Sequence, residues 1–205
     1  MPPVQTNRAE AFSDGVLAIA ITLLILEISV PDTQGSHLLR ALGHQWPSYA
    51  AYVVSFLTIG IMWVNHHALF QRIKVVDRGL LYVNLLLLLA IAFVPFPTAL
   101  LAQYVRSPSG GHVAAVIYCA SLLLVGLGFV ALWTYLRNHP ELRTADFSDA
   151  QVAAALRRTW RGPVAYVVAL LLSLVSAYAA LAICGAVAIY FVVPYRTDDV
   201  TDALT

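Results

Sequence analysis

The chain has 205 residues, 60% of them hydrophobic and only 11% charged, with a formal net charge of +1. Soluble domains carry roughly twice that share of charge, so an ordinary water-soluble globule is excluded. The near-zero balance by itself says nothing about partners; neither nucleic acid nor a cofactor is expected.

Apolar runs of bilayer length recur along almost the whole chain, which reads as an all-α, polytopic membrane protein forming a single unit over 1–205. Six spans fit, roughly 10–29, 48–69, 79–103, 112–136, 162–178 and 180–195. The first begins with Arg8-Ala9-Glu10-Ala11-Phe12-Ser13-Asp14-Gly15, which passes unbroken into an apolar helix. Its polar lead contains an acid and it lacks an A-x-A-like cleavage site, so it reads as a retained span and not a signal peptide. Polar breaks follow at Pro31-Asp32-Thr33-Gln34-Gly35-Ser36 and at Ser107-Pro108-Ser109-Gly110-Gly111. The longest polar segment is 137–161, in which 146–158 can form a short amphipathic surface helix. The apolar stretch 163–194 is too long for one helix across ~30 Å of hydrocarbon. Small or interfacial residues at Ser176-Ala177-Tyr178 put the split between the last two spans there. Cys119 and Cys184 fall inside apolar runs, where packing is expected in place of a disulfide or a metal.

Six spans leave both termini on one side. With that side inside, Arg8, Arg72, Lys74, Arg78, Arg137, Arg143, Arg157, Arg158, Arg161 and Arg196 are cytoplasmic, and only Arg40 and Arg106 lie outside. That asymmetry sets the orientation. A multi-pass protein of the cell membrane with cytoplasmic termini is expected.

At ~100° per residue, Ile19, Leu23 and Leu26 share one stripe of the first helix, flanked by Thr22 and Gly15. Glu27 and Asp32 follow at its outer end. The stripe fits plain packing against lipid or a neighbouring helix, because Leu and Ile dominate every span. It equally fits a pore wall whose rings of branched side chains gate by dewetting. Spacing alone leaves both open. Asp14 points about 140° away from the stripe and should face neighbouring helices. An ionisable group at membrane depth is costly and usually has a partner. The second span ends Trp63-Val64-Asn65-His66-His67, and the third carries Asn84 at matching depth. Ser13, Asp14, His66 or His67, and Asn84 can therefore meet and satisfy one another. A structural latch is the expected role, with a proton relay through the Asp and His groups as its rival. Either histidine, taken singly, also fits a water-facing interfacial position.

These motifs resemble a known family. Arg8, Phe12, Ser13, Asp14 and Gly15 spell RxxxFSDG. Trp63-x-x-His66-His67-x-Leu69-Phe70 and Asn84 with its apolar run into Pro95-Phe96-Pro97-Thr98 follow in the same order. Over nearly its whole length the chain is similar to bacterial members of the transmembrane protein 175 family, relatives of the endo-lysosomal potassium channel. The resemblance implies a homotetrameric cation channel permeable to potassium and other monovalent cations, with six helices per subunit around a central pore lined by the first helix. It further implies that Ile19 forms the constriction, that Leu23 and Leu26 continue it outward, and that Thr22 is the polar position near the gate. Ala18 stands where the family has a small residue and offers no hydroxyl. No TVGYG-like filter occurs in the sequence, and no metal is expected beyond the permeating potassium.

Animal relatives carry two such units per chain. A single RxxxFSDG here means that several copies must assemble to enclose a pore. The alternative function is a proton-coupled transporter using Asp14 and His66 or His67. Against it, no span is internally broken, and Pro95 and Pro97 lie at the outer end of the third. A membrane enzyme would need convergent polar groups, which the later spans, with little beyond Ser121, Ser173 and tyrosines, do not offer.

Overall fold

The computed structural model describes residues 6–32, 35–107 and 109–192. Thr33, Gln34, Pro108, Arg196 and the last three residues of the expected sixth span lie outside them. The helices are α1 (Thr6–Leu23), α2 (Leu38–His44), α3 (Trp46–Phe70), α4 (Arg78–Phe93), α5 (Pro95–Tyr104), α6 (Gly110–Asn138), α7 (Asp149–Ser173) and α8 (Ala177–Val192). Among the described residues four stretches are long and apolar enough to cross a bilayer: Thr6–Glu27, Trp46–Phe70, Arg78–Tyr104 and Gly110–Asn138. Ala177–Val192 is a shorter apolar helix.

Local chemistry explains where the helices start and stop. The Asp77 carboxylate caps α4 by accepting from the Leu80 N–H (2.8 Å) and also accepts from the Tyr135 hydroxyl (2.7 Å). That second bond draws α6 so close that a methyl on Gly79 would lie 2.0 Å from the Tyr135 oxygen. Pro95 has no N–H to continue the ladder, so the third apolar stretch is divided at Val94 into α4 and α5. Val94 keeps helical angles (φ −55°, ψ −36°), and the direction of travel is preserved. At Ser148 a reciprocal capping box with Gln151 starts α7.

The region after α6 departs from expectation. The separate surface helix over 146–158 does not exist; helix begins only at Asp149, and residues 149–158 open the 25-residue α7, which continues through Pro163. Pro163 removes one ladder bond, but its ring nests against Gly126 of α6, where an added methyl would lie 3.2 Å from the Pro163 Cγ. Arg158 and Arg161 stack on the Tyr190 ring of α8 (5.5 and 5.8 Å). The polar residues that looked like a loop are thus held on one side of a continuous helix. Its break from α8 falls at residues 174–176, overlapping the expected split at Ser176.

Two loops and the start of α1 gather at one end of the bundle. Lys74 N–H donates to Leu142 O (2.8 Å) and Thr144 N–H to Arg72 O (3.0 Å), flanking an isolated bridge between Ile73 and Arg143. The Thr6 hydroxyl at the start of α1 donates to Lys74 O (3.3 Å). At the opposite end, Arg106 lies over the Trp46 ring (5.2 Å). Where α4 crosses α6, a methyl on Gly128 would meet Leu87 Cδ1 at 2.9 Å and its Cα at 3.3 Å. Gly128→Val should therefore destabilise the purified protein by about 1–3 kcal/mol, read as a fall in melting temperature. Gly185→Ala, whose methyl meets nothing within 4 Å, should leave that temperature unchanged or slightly raised. Equal shifts for the two would show that the crossing is not tight.

Candidate functional site

The site is built on α1, whose two faces are sharply different. Ala9, Ser13, Leu17 and Ala20 are buried, and Leu24 continues that face beyond the helix. Arg8, Phe12, Gly15, Ile19, Thr22 and Leu26 are exposed. Their alternating spacing of four and three residues keeps them on one seam of a helix. Phe12 is 55% exposed, Ile19 60%, Leu23 42% and Leu26 72%. The last turn, Leu24–Glu27, tightens into a 3₁₀ helix, in which residues three apart eclipse. Within that turn Leu24 and Glu27, three residues apart, share one side. Thr22 donates its hydroxyl hydrogen to Ile19 O (2.9 Å), which leaves its oxygen lone pairs available on the exposed side. Asp32 is exposed beyond the helix.

Behind the seam runs a chain of hydrogen bonds that joins three helices. His66 Nε2 and Asn84 Oδ1 are 2.9 Å apart. An amide oxygen can only accept, so Nε2 carries the proton. Asn84 Nδ2 donates to Ser13 Oγ (2.8 Å), and Ser13 Oγ donates to Ala9 O (2.9 Å). All three side chains are buried, and the His66 ring stacks on Phe70 with centroids 4.3 Å apart. Such buried polar groups hold only if each is paired.

Asp14 and His67 are not in this chain. Asp14 Oδ1 accepts from the Trp63 indole N–H (2.9 Å), and His67 Nδ1 lies 2.7 Å from Glu10 Oε1. The reason is angular. Asp14 sits about 100° further round α1 than Ser13, so Ser13 faces α4 while Asp14 reaches the edge of α3. Glu10 and Asp14 are four residues apart on α1, as are Trp63 and His67 on the antiparallel α3, so the four make two rungs of one ladder. Gln71 closes it with a contact to His67 Nε2 (2.9 Å).

Sequence reasoning gave Glu10 and Trp63 no partner. It also missed a second buried polar group nearer the other end, where Ser55 Oγ lies 2.9 Å from Thr98 Oγ1 and 3.4 Å from the Tyr118 hydroxyl. The signal available was Ser55 and Thr58 three residues apart in an apolar span, since hydroxyls on one face of such a helix usually seek another helix. Replacing Asn84 with Ala strands His66 and leaves Ser13 only its own bond to Ala9 O. At about 0.6–2 kcal/mol per interhelical bond in a membrane, it should lower the melting temperature clearly, whereas Trp63→Phe, at the exposed edge, should lower it less. The reverse order in a thermal-shift series would make the ladder, and not the buried chain, the main tie.

Comparison with known proteins bears on these residues directly. The family described as endosomal/lysosomal potassium channel TMEM175 matches residues 8–95, which include the seam, the buried chain and the ladder. A potassium channel of Streptomyces collinus is 49% identical over 193 residues, covering 91% of each chain. The endosomal/lysosomal proton channel TMEM175 of Homo sapiens is 33% identical over 141 residues, which is 64% of this chain and 28% of its own length. The crystal structure of a lysosomal potassium-selective channel TMEM175 homolog from Chamaesiphon minutus matches with a TM-score of 0.81 at 42% identity, covering 91% of this chain and 95% of that one. The chain belongs to the TMEM175 potassium-channel family, a family of membrane ion channels and not of enzymes.

Proposed function

We propose that this protein is a potassium-permeable cation channel of the cell membrane, a homotetramer in which α1 of each subunit lines a central pore. The observation that carries the reading is the seam of Arg8, Phe12, Gly15, Ile19, Thr22 and Leu26, exposed along a helix that buries the stripe Ala9, Ser13, Leu17, Ala20 and Leu24. Burying the Ser13–Leu24 face on α3 and α4 leaves this seam for the axis of an assembly. Four copies of Ile19 would form an apolar ring with Leu23 and Leu26 beyond it, and such a ring gates by dewetting. With no carbonyl cage, discrimination among cations would rest on ring size and on the Thr22 oxygens. Glu27 and Asp32 would concentrate cations at the outer mouth.

Six spans per subunit complete the proposal, with α4 and α5 counting as one kinked span and the later half of α7 and α8 as the fifth and sixth. The gathering of the start of α1 and two basic loops at one end supports cytoplasmic termini by the positive-inside rule. The proton-coupled reading is less well supported. Asp14, His66 and His67 each bond a different partner, so they form no continuous relay.

In liposome flux or single-channel recording, Ile19→Asn should raise baseline current and loosen discrimination among cations. Leu24→Asn, on the buried face, should reduce expression and leave permeation unchanged. A change confined to the Leu24 variant would mean the lining face is wrongly assigned. Neutralising Glu27 and Asp32 together should lower conductance most at low salt, where screening is weakest. Cysteines introduced at Ser109 and Ala145 should label from opposite sides of the membrane; labelling from one side would end the six-span arrangement.

A further inference from the structure

The outer helices leave a cleft that the channel reading does not use. Asn65 Nδ2 donates to Phe191 O (3.1 Å) and ties α3 to the end of α8. Between α3, α6, α7 and α8 lies about 910 Å³ of protein-free space, its open mouth included. Deep in it the walls are apolar, among them Met62, Val125, Phe129 and Pro163, and at the basic end of the bundle it is bounded by Arg72 and Arg158. Both arginines are positioned by aromatic rings. Arg72 lies 5.5 Å from the Phe147 centroid, and Arg158 lies 5.5 Å from Tyr190 and 5.7 Å from Phe191. Arg161, one turn on, bonds the Tyr190 hydroxyl.

We propose that this cleft binds one anionic phospholipid of the adjoining leaflet, an acyl chain filling the apolar slot and the phosphate seated between Arg72 and Arg158. In a bilayer the slot cannot stay empty without its lining losing dispersion contacts, and water there would find few polar partners. A lipid chain meets neither cost. Guanidinium groups make bidentate, charge-assisted bonds to phosphate, and basic pockets between membrane helices suit anionic headgroups. Among the described residues the bases at this end outnumber the acids: Asp146 lies 3.4 Å from Arg72 and Asp149 pairs with Arg143 (2.6 Å), and Arg157 and Arg161 add further positive charge on α7. That excess selects against a zwitterionic lipid, whose ammonium would meet like charge. The proposal rests on the helices spanning a bilayer and is independent of channel activity.

The test is native mass spectrometry of the intact assembly in detergent with phosphatidylglycerol or phosphatidylcholine of identical chains. Phosphatidylglycerol should be retained on the order of tenfold better, the scale of one charge-assisted bond. The Arg72→Gln/Arg158→Gln double variant should lose that preference. Arg72→Lys/Arg158→Lys should keep much of it, and Ala188→Phe, which fills the slot, should weaken binding with the arginines intact. Equal retention of the two lipids, or an unchanged preference in a double Gln variant that elutes and melts like the parent, would overturn the proposal. So would complete displacement of the lipid by soluble glycerol phosphate, which would show an anion site that needs no acyl chain.

Discussion

The hydrocarbon of a bilayer offers a polar side chain no partner, so each one buried among the helices must be satisfied by another. Here a directional chain from His66 Nε2 through Asn84 and Ser13 to Ala9 O meets that requirement at each of its links, while His66 Nδ1 is left without a hydrogen-bond partner. Because its links lie on α3, α4 and α1, the chain sets the rotation of all three helices at once. Apolar contacts alone would tolerate many rotations, since Leu and Ile surround every span and lipid is as apolar as they are. The polar chain selects one of them. Once Ser13 faces Asn84, the face carrying Leu17 and Ala20 is buried, and the seam from Arg8 to Leu26 is turned outward.

The same helix, α3, anchors polar contacts at several levels. Near the basic end it holds His66 inside and the Trp63–His67 edge against Asp14 and Glu10. Nearer the other end Ser55 meets Thr98 and Tyr118, and close glycine contacts set α4 against α6. The RxxxFSDG motif divides along these lines. Arg8, Phe12 and Gly15 belong to the exposed seam, Ser13 to the buried chain, and Asp14 to the ladder. A motif that reads as one signature thus serves three surfaces of one helix. The periphery is built differently. α8 is joined to α3 by a backbone acceptor and to α7 by stacked arginines and rings, and the cleft between them is the consequence.

Much of this was legible from the amino-acid order. Hydropathy is a property of each segment, so the apolar stretches and the clustering of Arg72, Lys74, Arg78 and Arg143 at one end follow from composition and rise per residue. Depth is legible for the same reason, and it brought Ser13, His66 and Asn84 to one level. Angle relative to a neighbour is not, because it depends on how the helices pack. That is why Asp14 was expected beside the histidines and is found on Trp63. Continuity through the polar residues 157–163 likewise depended on Gly126 receiving Pro163 and on the rings of α8 receiving two arginines, contacts that exist only after folding. The seam illustrates the division most clearly: its three-four spacing is written in the sequence, but only the burial of the opposite face decided that it is the exposed side.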